Sequence, residues 1–183
     1  MIIIYILLFL ILLYVIITYN AFVNLKNQVL NSYSGIDVQL SRRNDLIPGL
    51  VAAVKGYVKH EKELLETLTK KRTEIMNSLE EKDVEKIAKE DKQISNCLKS
   101  LFAVAENYPD LKASKNFLNL QDQLSRTENQ IAASRRIYNS NVTIYNTRLE
   151  SFPNNLFNNV LKFEYFKLYK LDENKKEAKK FEY

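Results

Sequence analysis

Histidine and cysteine, which often act as catalytic bases, nucleophiles or metal ligands, are scarce in this sequence. His60 is its single histidine and Cys97 its single cysteine. A di-iron centre in a helical bundle uses two Glu-x-x-His motifs, and a structural zinc site needs a cluster of Cys and His ligands. Cys97 lies among Ile94, Leu98 and Leu101, where a cysteine usually acts as a small buried apolar residue. We therefore expect no enzyme activity and no catalytic, cofactor or metal site, and a Cys97–His60 nucleophile pair is the alternative.

Composition narrows the range of ligands. The net charge of +5 comes from interleaved acids and bases rather than a basic block, which argues against nucleic-acid binding. The three glycines are scattered, so no glycine-rich phosphate loop is present in the sequence. No small-molecule substrate is evident.

Polar side chains that interrupt apolar helical stripes are the best candidates for a site. A buried charge is costly unless an opposite charge pairs with it, so the carboxylates and guanidiniums on these stripes are expected to meet. Arg43 or Arg135 is the expected partner of Glu61, because arginine offers planar bidentate hydrogen bonding. The alternative is that these groups reach solvent at the edges of the stripes. The candidate buried polar network comprises Arg43, Glu61, Thr127, Glu128 and Arg135.

The elements that would position this network are helices. Only three glycines and three prolines punctuate 183 residues, and apolar residues recur at spacings of three and four. The pattern predicts an all-α fold: an N-terminal transmembrane helix followed by an elongated, antiparallel, coiled-coil-like four-helix bundle over residues 20–153. The four predicted helices run from the anchor to about Arg43, from Asp45 with Pro48 in its first turn to Asn77-Ser78, from Asp83 to Tyr108-Pro109, and from Ser114 to about Glu150.

Residues 1–19 are predicted to be the membrane anchor. Residues 2–17 are uniformly apolar, and charge first appears at Lys26. A run of this length approaches the ~20 residues that span hydrocarbon. A cleaved signal peptide would need a basic n-region and a small-residue cleavage site, and a buried core helix would carry some polar positions. Positive charge after the span favours a cytoplasmic location for the domain.

The C-terminal part of the sequence changes character. Residues 154–171 are rich in aromatics and are expected to pack on the bundle, with a membrane-surface or partner-docking strip over residues 156–169 as the alternative. Residues 172–183 are polar and are predicted to form a flexible tail.

Two long blocks of the sequence resemble the LemA family signature, and together they cover nearly the whole chain. The first block comprises Tyr19-Asn20, Leu25-Lys26-Asn27, Ser34-Gly35-Ile36-Asp37-Val38-Gln39-Leu40, Arg42-Arg43, Asp45-Leu46-Ile47-Pro48-Gly49-Leu50-Val51, Val54-Lys55-Gly56-Tyr57 and His60-Glu61. The second comprises Tyr108-Pro109-Asp110-Leu111-Lys112-Ala113, Asn116-Phe117, Leu120-Gln121, Leu124, Thr127-Glu128-Asn129, Ile131, Arg135-Arg136, Tyr138-Asn139, Val142, Tyr145-Asn146-Thr147 and Phe152-Pro153.

The resemblance implies a single-pass protein of the bacterial cytoplasmic membrane with an antenna-like helical bundle. It implies no activity, because the family has no settled biochemical function. The sequence and the resemblance together favour an interaction or scaffold protein of the envelope, in contact with the lipid bilayer and with an unidentified protein partner. The alternatives are a lipid-handling or membrane-remodelling protein, or an accessory factor to a membrane protease.

Overall fold

A computed structural model describes residues 1–57, 61–156 and 162–170, and every regular element within these ranges is a helix. The helices are α1 (Ile2–Lys55), α2 (Lys62–Glu81), α3 (Val84–Ala105), α4 (Pro109–Lys112) and α5 (Lys115–Glu150). The predicted all-α fold, with a long apolar N-terminal helix, is therefore confirmed.

α1 begins with the segment predicted to be an anchor. Nearly all side chains of residues 2–17 are exposed to the surroundings, although almost all of them are apolar. By length and composition, α1 is the one helix among the described residues that could cross a membrane. From Phe22 onward the helix changes to a stripe of buried residues that includes Val29, Ile36 and Leu40.

The predicted break between the first two helices is wrong. α1 does not end near Arg43, and Asp45 does not start a new helix, because α1 continues through Pro48 to Lys55. A proline lacks the amide that would bond the carbonyl four residues earlier, here that of Asn44. Arg72 Nε of α2 donates to that carbonyl at 3.0 Å, which replaces the missing partner.

The other helix boundaries lie close to the predicted ones. The Asp83 carboxylate caps α3 by accepting from the amides of Glu85 and Lys86 at 3.1 and 3.2 Å. α3 ends at Ala105, and Pro109 then begins the four-residue helix α4, which the periodicity does not predict. α5 occupies the range expected for the last helix and ends before Ser151. Residues 58–60 and the predicted tail over 172–183 lie outside the described residues.

The chain forms two compact units, and α1 and α5 contribute to both. The first unit contains Met1–Ile36 and Ala133–Leu168, and its core includes Phe22, Val29, Tyr138, Val142 and Tyr145. The second contains Asp37–Ala132 and, among the described residues of the C-terminal segment, Tyr169 and Lys170. Its core includes Leu40, Ile47, Leu50, Leu68, Ile75, Ile87, Ile94, Leu101, Leu124 and Ile131.

Within the first unit, residues 162–168 lie against α1 and α5. The Phe163 ring packs on Phe22, with ring centroids 5.0 Å apart. The Asn146 side chain of α5 bonds both the amide and the carbonyl of Phe166, at 3.1 and 2.9 Å. Tyr138 Oη donates to the Lys167 carbonyl at 2.9 Å, and burial of this side chain raises the pKa of Tyr138 to about 12. These contacts turn much of the described aromatic segment toward the protein.

Two isoleucines of α5 provide a matched test of the packing. Ile131 is 0% exposed and Ile137 is 58% exposed. Ile131→Ala is expected to lower the free energy of unfolding by roughly 2–5 kcal/mol, because it leaves a cavity in the core. Ile137→Ala should cost much less. Chemical denaturation of both variants measures the difference, and equal shifts in midpoint would contradict the packing of α5.

Candidate functional site

A buried ion cluster occupies the core of the second unit. Arg43 of α1 is fully buried and its guanidinium is paired with two carboxylates. Nη2 donates to Asp91 Oδ1 of α3, and Nη1 donates to Glu128 Oε2 of α5 at 2.9 Å. Nη1 also donates to Ser95 Oγ, 3.0 Å away on α3. Three helices therefore converge on one guanidinium.

The cluster follows from polar residues at stripe positions. Arg43 lies between the buried Leu40 and Ile47, and Asp91 lies between the buried Ile87 and Ile94, at spacings of three and four. Residues at these spacings share one face of a helix, so both side chains point inward. The long stem of Arg43 fills core space, while its planar end offers several donors in a fixed geometry.

Tyr169 joins the cluster from the C-terminal segment. This tyrosine is buried, and its hydroxyl donates to Asp91 Oδ2. The two oxygens of Asp91 are thus bonded to different donors, one on α1 and one beyond α5. The cluster therefore fixes the end of the described C-terminal segment to α3.

The charged side chain through which the cluster reaches the surface is Glu128. Arg43 and Asp91 are fully buried, whereas the side chain of Glu128 is 43% exposed. One guanidinium against two carboxylates leaves a formal excess of one negative charge. Glu128 faces a groove of about 280 Å³ between α3 and α5, with Leu98, Phe102 and Leu124 among its lining residues. We call this the Glu128 groove.

The structure brings together part of the predicted network. Arg43 and Glu128 form an ion pair, and Thr127 is buried beside them, where its hydroxyl donates to the Gln123 carbonyl of its own helix at 2.8 Å. Arg135 is largely buried but belongs to the first unit.

Glu61 is not a partner of Arg43, because Asp91 and Glu128 are the carboxylates that meet this guanidinium. Glu61 instead occupies the N-cap position of α2, where its side chain makes no capping hydrogen bond. The sequence predicts Glu61 inside a second helix that starts near Asp45. The break between the helices lies after Lys55 instead, so Glu61 directly precedes α2.

Sequence reasoning missed Asp91, Ser95 and Tyr169. A signal for Asp91 was present, since it fills the stripe position between Ile87 and Ile94 where an apolar residue would be expected. Tyr169 carries no comparable signal, because the segment that contains it is not helical and follows no period.

The described residues can be compared with the requirements of a metal site and of a reactive cysteine. No group of three His, Cys, Asp or Glu side chains within them could hold a metal ion. Cys97 is a free, partly buried thiol, and burial raises its pKa. A raised pKa disfavours the nucleophilic thiolate. His60 lies outside the described residues.

Among the described residues, the helices, the apolar segment of α1 that is long enough to cross a membrane, and the polar cluster between α1, α3 and α5 are typical of a membrane-associated helical protein. Comparison with known proteins specifies the class further. The family model of the LemA family matches residues 32–183, and the chain belongs to this family. The LemA family is not known as an enzyme family.

Curated relatives agree with this assignment. Protein LemA of Metamycoplasma hominis is 31% identical over 132 residues, which cover 71% of this chain and 58% of the relative. Magnetosome protein MamQ 2 of Paramagnetospirillum magneticum is 25% identical over 158 residues, and MamQ of Magnetospirillum gryphiswaldense is 22% identical over 158 residues. Both MamQ alignments cover 74% of this chain and 58% of the relative. The chain thus spans less than two thirds of the length of each.

Removing one buried partner tests the cluster. Asp91→Leu is expected to lower the free energy of unfolding by roughly 3–5 kcal/mol, because it removes the fully buried carboxylate that accepts from Arg43 Nη2 and from the Tyr169 hydroxyl. The double variant Arg43→Met/Asp91→Leu should recover much of this loss, since Glu128 can turn to solvent. A double-mutant cycle by chemical denaturation gives the coupling energy between the two side chains.

The control for this cycle is the surface pair of Lys71 and Glu74 on α2, whose side chains are both partly exposed. Its coupling should be far smaller, because solvent screens exposed ion pairs. Equal coupling at the two pairs would show that the Arg43 cluster does not hold the core together.

Proposed function

We propose that this protein is a membrane-anchored interaction protein of the bacterial envelope, which holds a helical domain at the bilayer and presents its side surface to a protein partner. The observation that supports this most is the continuity of α1. One helix carries both the exposed apolar run of residues 2–17 and the buried stripe that begins at Phe22.

The exposed run needs a nonpolar environment that the described part of the chain does not supply. Apolar side chains exposed on all sides of a helix are unfavourable in water and favourable in lipid. Leucine and isoleucine near the middle of a membrane helix each contribute about −0.3 to −0.6 kcal/mol to insertion, so the whole run favours insertion by several kcal/mol. A bilayer is therefore the environment that fits residues 2–17.

The attachment between anchor and domain is short and regular. Phe22 is already buried, and it follows Ile17 by five positions, or ~7.5 Å of helix. A helical connection of this kind holds the base of the domain close to the membrane surface, unlike a flexible linker. Such mounting suits a protein whose folded part has to stay at the membrane.

We place the domain on the cytoplasmic side of the cytoplasmic membrane. Residues 1–25 carry no charged side chain, and the positively charged Lys26, Arg42 and Arg43 follow the apolar run. Positive charge close to a span is retained preferentially in the cytoplasm.

The Glu128 groove is the surface that we assign to the partner. Its lining combines apolar side chains with the exposed Glu128 carboxylate, one of the two carboxylates of the ion cluster, and with the cationic Lys99. A segment that presents a cationic side chain to Glu128, beside apolar side chains, is complementary to that part of the groove.

Lipid handling by a surface strip is the alternative function, and the described contacts favour it less. Phe163 and Phe166 pack against α1 and α5, and Tyr169 is buried. A strip of aromatics lying on headgroups would instead expose these rings to the membrane surface.

Photocrosslinking in membranes tests the proposed groove. A photoreactive residue in place of Asn129, at the rim of the groove, should capture a discrete protein partner in the full-length chain. The same residue in place of the well-exposed Lys70 on α2 is the control and should give a weaker product.

A matched pair of charge variants makes this test specific. Gln121 also lines the groove. Gln121→Arg should reduce the crosslinked product from Asn129 by repelling a cationic partner, whereas Gln121→Glu should preserve or increase it. A product that is equally strong from Lys70, or one that ignores the charge at position 121, would contradict binding at the Glu128 groove.

A further inference from the structure

The chain returns to the apolar run of α1 just after the end of α5. In the first unit, Tyr14 Oη donates to Asn154 Oδ1 at 3.1 Å. Asn154 is buried, and Tyr14 lies within the apolar residues 2–17. Residues 151–156, which we call the α5 turn, therefore lie beside the predicted anchor rather than beside the part of α1 that follows it.

The position of Tyr14 along α1 gives the depth of this contact. A helix needs about 20 residues to cross the hydrocarbon core, so a span that begins at Ile2 ends roughly at residue 21. Tyr14 lies ~10 Å short of that point at ~1.5 Å per residue. Long helical side chains also lean toward the N-terminus of their helix, which carries the Tyr14 hydroxyl further into the span. The α5 turn is thus level with the nonpolar layer of the bilayer.

The α5 turn exposes apolar side chains at this level. Phe152 is 78% exposed and Leu156 is 60% exposed, and both are large hydrophobic residues. In water this would be an unfavourable surface, whereas beside a membrane span it matches the surrounding lipid.

Several polar groups of the α5 turn are bonded within the protein, which lowers the cost of placing them in a nonpolar environment. The amides of Ser151, Asn155 and Leu156 donate to carbonyls of the same turn or of the last turn of α5. The Asn154 side chain accepts from Tyr14 and donates to the Arg148 carbonyl at 3.1 Å. The turn thus bonds these amides and the Asn154 side chain internally, while Phe152, Leu156 and the polar Asn155 side chain are exposed.

We infer that the α5 turn is a second membrane contact, which inserts Phe152 and Leu156 into the leaflet that α1 enters from the domain side. The inference rests on the proposed insertion of residues 2–17. Arg148, exposed in the last turn of α5, is placed to reach lipid phosphates from the same side. With the anchor and the α5 turn both held by lipid, the bilayer fixes the rotation of α1 about its own axis as well as its depth.

Tryptophan fluorescence can locate the α5 turn relative to lipid, because the natural chain contains no tryptophan. The full-length variant Phe152→Trp is reconstituted into phosphatidylcholine–phosphatidylglycerol vesicles whose acyl chains carry bromine, which quenches nearby indoles. We expect blue-shifted emission and strong loss of intensity relative to vesicles without bromine.

Two matched variants control the measurement. Phe9→Trp reports on the anchor and should be quenched strongly. Ile137→Trp lies on an exposed site of the same helix, ~20 Å from Glu150 along the α5 axis, and should not be quenched. Circular dichroism should show the same helical content in all three variants.

The outcomes separate this inference from the proposed function. Quenching at Phe9→Trp without quenching at Phe152→Trp would overturn the second contact and leave the anchor intact. Absence of quenching at both positions would overturn the anchor as well. Blue-shifted but unquenched emission from Phe152→Trp would mean that protein, such as a second copy of the chain, covers the α5 turn instead of lipid, and would also overturn the inference.

Discussion

α1 has to meet two incompatible solvation requirements along a single helix, and the rest of the first unit depends on how it does so. Its first residues are apolar on every side, which suits only a nonpolar environment all around the helix. From Phe22 onward the apolar residues shrink to one stripe, which the Tyr145 ring of α5 and the Phe163 ring cover. The change occurs within a few residues and without a break in the helix. The width of the apolar surface of α1 therefore determines the position at which protein replaces lipid around the helix.

The second unit depends on a different constraint, the burial of a charge. Arg43 can lie in the core only where carboxylates from α3 and α5 reach the same level, and this fixes the alignment of three helices more narrowly than apolar packing does. A leucine stripe tolerates small shifts along the helix axis, because its contacts are non-directional. Charge-assisted hydrogen bonds are directional, so they tolerate much smaller shifts along the helix axis. The Tyr169 bond to Asp91 extends this alignment to the C-terminal segment.

The sequence predicts the elements better than the contacts between them. The apolar run, the Asp83 cap and the limits of α5 depend on neighbouring residues, and all three are visible as patterns. Asp45 followed by Pro48 also matches the start of a helix, yet α1 continues through Pro48. The side chain of Arg72, 28 residues further along the chain, bonds the Asn44 carbonyl that Pro48 leaves without an amide partner. The same holds for the site. Arg43 and Glu128 were identifiable as polar residues near stripes, whereas the pairing with Asp91 and Tyr169 depends on how separate helices come together.

The central claim is that α1 joins the membrane to the domain core as one uninterrupted helix. Hydrogen–deuterium exchange of the full-length chain in vesicles, resolved over residues 14–24, tests it most directly. The account predicts slow exchange of every amide from Tyr14 through Phe22 and beyond, since each is bonded within a helix that lipid or protein covers. A band of fast exchange between Ile17 and Phe22 would reveal a hinge there, and would contradict the claim that the domain is mounted on a continuous helix.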